Sequence, residues 1–196
     1  MKTITEPRRE IPVIADVDVI VAGAGPGGFP AAVSAAREGA EVLLIERYGF
    51  MGGLATAGLV APILGHTASR SHTPIVEGLL KEMTERMHAR GGAPTWKEAC
   101  REWGIRFDAE AFKYVADRMV KEAGIDLLLH TAVTDAVVED DRIQALIIES
   151  KSGRQAVTAD VIIDATGDAD VAYRAGAPTR QGRAFDGRVE SMGSFM

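Results

Sequence analysis

Apolar and polar positions along this chain change period several times, and each change predicts an element. Val17, Val19, Ile20 and Val21 read as a strand buried on both faces, and Ala31, Ala32, Val33, Ala35 and Ala36 as a closely packed helix. A second apolar run, Val42 to Ile45, predicts another strand. Periodicity then fades over residues 47–74, which carry glycines and prolines and read as extended loop with a short helix near Thr56 to Leu59. Ile75, Val76, Leu79, Leu80, Met83 and Met87 make one apolar stripe, so a helix is predicted from Pro74 to Arg90, stopped by Gly91-Gly92. Residues 91–107 are irregular, with Trp96 and Trp103 as candidate anchors. Asp108 is placed to cap a helix running to Ala123, with Phe112, Val115, Met119 and Val120 on its buried side.

After Ile125 to Leu129 come three strand segments, Ala132 to Val138, Ile143 to Glu149 and Gln155 to Thr158. The polar turns between them predict an antiparallel meander. Val161 to Ala165 is a final apolar strand. The order as a whole predicts an α/β fold with a central parallel sheet and a meander where a crossover helix would ordinarily stand.

The first strand-to-helix junction, VAGAGPGGFPAA, concentrates four glycines. Glycine inside an element costs about 0.5–1 kcal/mol relative to alanine, so such a cluster needs a local reason. Gly23, Gly25 and Gly28 stand in GxGxxG register, in which the first makes the turn, the second admits a pyrophosphate and the third lets helix pack on strand. An ordinary glycine-rich turn would also satisfy the bare motif. Glu46 changes the balance: it ends the second strand 18 residues after Gly28, the spacing of an acid that accepts hydrogen bonds from an adenosine ribose. A carboxylate there also repels a 2'-phosphate and so disfavours NADP. Pro30 falls in the first turns of the helix, where a missing N–H is tolerated.

Composition narrows the class. With 46% apolar and 26% charged residues the chain is globular, and a net charge of −6 argues against nucleic-acid or anionic-membrane partners. No apolar run reaches membrane-spanning length, and the charged opening MKTITEPRREIP lacks a signal-peptide core, which points to the cytoplasm. Cys100 is the single cysteine, so no internal disulfide forms, and it reads as a small buried apolar residue. His66 and His72 lie on the long loop. Either would suit substrate binding or proton transfer, although solvated loop histidines are the commoner case; their spacing defines no metal site, and no catalytic residue is assigned.

The runs REIPVIADVDVIVAGAGPGGFPAAVSAAREGAEVLLIERYGFMGGLATAGLV and ADVIIDATGDADVAYRAGAP resemble the FAD-dependent oxidoreductases of the glutathione-reductase-like flavoprotein superfamily, from about Arg9 onward. The resemblance implies a Rossmann-like FAD/NAD(P)-binding fold with FAD as cofactor. It also implies that Gly23, Gly25, Pro26, Gly27 and Gly28 hold the pyrophosphate, with Glu46, followed by Arg47, on the AMP ribose. Gly52, Gly53, Leu54 and Thr56 would wrap the middle of FAD, and Val133 would read adenine through its backbone. Gly167 and Asp168 would lie beneath the glycine turn near the FAD linker; Asp168 equally suits the N-cap of a helix from Ala169 to Ala175 closed by Gly176.

The same resemblance divides the chain into an arm (1–15), an FAD-binding domain (16–178) with an insertion at about 47–107, and the opening of a substrate or cap domain (179–196). Full-length members continue well beyond this point, so ESMGSFM reads as the start of a further strand. The expected activity is hydride transfer between a small organic substrate and the flavin, in an assembly completed by further copies or a second chain. Alternatives are a non-catalytic dinucleotide-binding module or truncated fragment, a nicotinamide dehydrogenase, which the meander and the ATGD run disfavour, and a thiazole-biosynthesis-like enzyme.

Overall fold

The first strand is longer than its apolar run. In a computed structural model, which describes residues 2–5, 7–68 and 70–189, β1 spans Val13–Ala22, half exposed at its start and fully buried by Ile20. It lies between two parallel neighbours, β2 (Val42–Ile45) and β8 (Gly153–Asp164), and β5 (Asp126–Leu128) extends the parallel set beside β2. The strands β6 (Ala132–Glu139) and β7 (Arg142–Ser150) then run antiparallel, giving one six-stranded sheet of order β5-β2-β1-β8-β7-β6. Parallel half and meander are both as the pattern predicts.

One difference lies in β8. The pattern predicts two strands, Gln155 to Thr158 and Val161 to Ala165, whereas a single strand runs through Thr158-Ala159-Asp160. Its first half is clasped by β7 as far as Val157, and β1 follows it from Ala156 to Asp164. A polar interruption in the sequence does not end a strand whose backbone is paired on one side throughout.

Successive side chains of a strand point to opposite faces. Val21 and Leu44 therefore face a helical layer, made by α1 (Gly28–Arg37), α2 (Leu79–His88) and α4 (Ala109–Glu122), and pack with Phe29, Val33, Met83, Phe112 and Met119. Ile20, Leu43 and Ile45 face the meander, where Leu146, Ile148, Val157 and Val171 of α5 (Asp170–Arg174) cover them. Each such buried side chain is worth about 1.5–3 kcal/mol. Arg37, Glu82, Arg86 and Glu122 also lace the three helices together, but these ion pairs are partly exposed, and such pairs contribute about 1 kcal/mol or less. The apolar layers hold the fold.

Asp108 caps α4 as predicted, accepting the Ala111 N–H at 2.8 Å. The insertion departs from prediction. Instead of a helix near Thr56 to Leu59 there is one 3-10 turn, Gly53–Ala55. Helix α2 begins at Leu79, because Gly78 adopts φ 59° and ψ −124°, and Ile75 and Val76 stay exposed with their N–H groups donating to His66 O. A capping box of Thr95 and Glu98 starts the short α3 (Trp96–Ala99), and β3 (Ile63–Leu64) pairs with β4 (Gly104–Ile105). Trp96 sits 6.0 Å from the ring of His66, while Trp103 is 80% exposed and anchors nothing among the described residues. The expected further strand at ESMGSFM lies outside the described residues.

Candidate cofactor-binding site

Three strand ends meet at the glycine turn. Gly23 N–H donates to Ile45 O at the end of β2, and Ala165 N–H, just past β8, donates to Ala22 O, both at 2.8 Å. Gly23 has φ 93°, and a Cβ there would overlap Ala165 O. A Cβ on Gly28 would overlap Gly23 O, so this glycine lets α1 close onto the turn. The chain's own packing demands both residues.

Gly25 and Gly27 are different. A Cβ at Gly25 would meet nothing nearer than Gly53 Cα at 3.9 Å, and one at Gly27 would meet nothing within 4 Å. No atom of the described residues explains why side chains are missing there. The space adjoins the N-terminus of α1, whose first turn contains no acid and receives no side-chain cap, so the positive end of the helix dipole faces it. Such a place favours a phosphate.

The second loop lies over this turn. Gly52 N–H donates to Ala24 O at 2.8 Å, and Thr56, buried, donates its hydroxyl to Met51 O at 2.7 Å, holding the 3-10 turn in place. Leu54 is exposed. Glu46 is only 5% exposed, and its carboxylate accepts Ala24 N–H at 2.8 Å and Tyr48 N–H at 2.9 Å. A carboxylate offers about four acceptor positions, so acceptor capacity remains for ribose hydroxyls. Arg47 extends outward with its guanidinium 5.0 Å from the Tyr48 ring centroid. Val133 pairs with Ile148 near the start of β6, two residues beyond Thr131, whose N–H donates to Glu46 O at 3.0 Å.

A family model described as FAD dependent oxidoreductase matches residues 18–196. The chain belongs to that family. As a member of the FAD dependent oxidoreductase family, its cofactor is FAD. It is 28% identical over 167 residues to a digeranylgeranylglycerophospholipid reductase of Methanocella arvoryzae, covering 78% of this chain and 39% of that protein. To a thiamine thiazole synthase of Methanococcus maripaludis it is 26% identical over 175 residues, covering 79% and 57%. The crystal structure of Thermovibrio ammonificans THI4 superposes with a TM-score of 0.58 at 22% identity, over 81% of this chain and 61% of that one, and so shares the fold. The chain thus spans about two-fifths to three-fifths of the relatives' length, and the portion matched is the FAD-binding one.

In this member of the family Gly52 and Glu46 both bond the glycine turn at Ala24, and Gly167 and Asp168 come just after Ala165, whose N–H donates to Ala22 O. Asp168 does not cap α5. The helix starts at Asp170 behind Ala169, which has φ 57° and supplies no side-chain cap; Thr166 Oγ1 accepts Asp170 N–H at 2.8 Å and Asp164 Oδ2 accepts Ala172 N–H at 2.9 Å. His66 is not a solvated loop residue either. Its ring is buried, with Nε2 2.9 Å from Ala99 O, and it ties the loop to α3; His72 is exposed. Cys100 is buried as expected, and burial pushes its thiol pKa upward. Among the described residues no group of three potential metal ligands occurs, and no helix is long and apolar enough to cross a membrane. Sequence reasoning missed His130 and Gly49, which meet beside Glu46 and carry no motif.

Proposed function

We propose that the protein containing this FAD-binding portion transfers a hydride between a small organic substrate and the flavin. The observation that carries the reading is the pair of glycines, Gly25 and Gly27, whose missing side chains serve no contact among the described residues but leave clear the approach to the α1 N-terminus. On this reading the turn amides hold the diphosphate, Glu46 accepts from the ribose, and the Gly52–Thr56 loop covers the ligand's middle. Bound FAD supplies the two-electron redox chemistry, and the protein supplies position and electrostatics. Arg47, Val133, Gly167 and Asp168 complete the adenosine and linker ends.

The substrate-binding surface is formed together with further polypeptide, either more of the same protein, a second chain or another copy. Leu54, Leu59, Ile75 and Trp103, all at least 60% exposed on the 47–107 insertion, are apolar surface such polypeptide would cover. Purified protein should be yellow and release FAD on denaturation, and the bound flavin should be bleached anaerobically by a substrate donor. Colourless protein that takes up NAD but not FAD would overturn the reading. Bound flavin that no donor reduces would leave a binding module instead.

A further inference from the structure

We infer that His130 is a positioning residue for the adenosine end of the bound dinucleotide, acting through Tyr48 and the Glu46 carboxylate; the inference rests on the reading of function above. His130 follows β5 with φ 51°, in the left-handed region where glycine would sit without strain. Its N–H donates to Tyr48 O at 3.0 Å. Tyr48 N–H in turn donates to Glu46 Oε1 at 2.9 Å, and the other carboxylate oxygen takes the Ala24 N–H of the glycine turn at 2.8 Å. A chain of three hydrogen bonds therefore links the exit of β5 to the phosphate turn, and the ribose acid is its middle member.

The imidazole adds a second hold on the same loop. It lies against Gly49 so closely that a Cβ there would stand 2.5 Å from Nε2 and 2.6 Å from Cε1. His130 also borders an open cleft of about 480 Å³, which Leu128, Ile148 and Gln155 line. His130 is exposed, so burial does not account for the ring, and its side chain donates no hydrogen bond among the described residues. Contact with Gly49 is what remains for it to do. Pressed there, the ring keeps the Tyr48–Gly49 turn against the β5 exit and so keeps Tyr48 N–H aimed at Glu46. The left-handed backbone at residue 130 is what turns the side chain back onto this loop.

The test titrates ADP, which carries only the adenosine and diphosphate end, and FAD into wild type, His130→Gly, His130→Phe and Glu46→Gln proteins, with melting of the unliganded chains. His130→Gly retains the left-handed backbone and its N–H bond and removes only the ring. ADP binding should weaken about tenfold while the unliganded Tm holds, and His130→Phe, which restores a flat ring without nitrogen atoms, should bind as wild type. In a Glu46→Gln background His130→Gly should weaken ADP binding no further. Wild-type affinity in His130→Gly, failure of His130→Phe to restore it, losses that add fully in the double variant, or a loss that simply follows a fall in Tm would each overturn the inference. Wild-type protein that binds ADP but not FAD overturns the reading of function and leaves this test intact; binding of neither overturns both.

Discussion

The Glu46 carboxylate accepts the Ala24 backbone N–H at 2.8 Å across 22 residues of chain, so the acid proposed to hold a ribose also fastens the end of β2 to the glycine turn. Ala24 is fully buried, and a lost acceptor leaves its N–H unpaired. Glu46→Gln keeps one carbonyl for the two N–H donors and turns an amide N–H₂ toward the other. Stability should fall by about 1–3 kcal/mol in urea unfolding, alongside weaker FAD binding. A variant that binds FAD less tightly with unchanged stability would assign Glu46 to the ligand alone.

Gly25 and Gly28 should separate binding from folding. Gly25→Ala places a methyl group in open space 3.9 Å from Gly53 Cα, so the unliganded protein should be as stable as wild type or firmer by up to about 1 kcal/mol, while FAD affinity drops tenfold or more, about 1.4 kcal/mol. Gly28→Ala drives a methyl group into Gly23 O and should destabilise the unliganded fold by about 1–3 kcal/mol. Thermal melts with and without FAD distinguish the two.

Acid should loosen the helical layer through Glu82. Its carboxyl is held below the ordinary carboxylate range, chiefly by hydrogen bonds from Arg37, against a smaller upward push from burial. A depressed folded value means the contribution is complete above the unfolded value, near pH ~4.3, and is lost as pH falls through the folded one. Arg37 is 43% exposed, which limits the pair to about 1 kcal/mol or less. Arg37→Ala should therefore lower Tm modestly at pH 7, with the gap to wild type closing below about pH 4. A constant gap across that range would show that Arg37 acts by packing.

Cys100 should be chemically quiet. Burial raises its thiol above the usual value, and only 7% of the residue is exposed. Ellman's reagent should react slowly with the native chain and rapidly once urea unfolds it. Fast reaction in the native state would show that the α3 region opens.

Much of this architecture was legible in short stretches of chain, because periods of 2 and 3.6, glycine turns and Asp caps are set by local sterics and local hydrogen bonds. The parallel strands, α1, the Asp108 cap and the meander follow from such patterns. Distant neighbours decided the rest. Thr158-Ala159-Asp160 continues as strand because β1 runs beside it, and α2 starts late because Gly78 turns the chain and His66 O captures the N–H groups of Ile75 and Val76. His66 is buried and Trp103 exposed, the reverse of what residue type suggests in a loop, since α3 closes over one and nothing described closes over the other. The sequence by itself determined the glycine motif, the acid that follows it and the alternation of core positions. Which glycines are demanded by protein atoms, which carboxylate caps which helix and what His130 rests against depended on contacts between residues far apart in the chain, and only the tertiary structure brings those together.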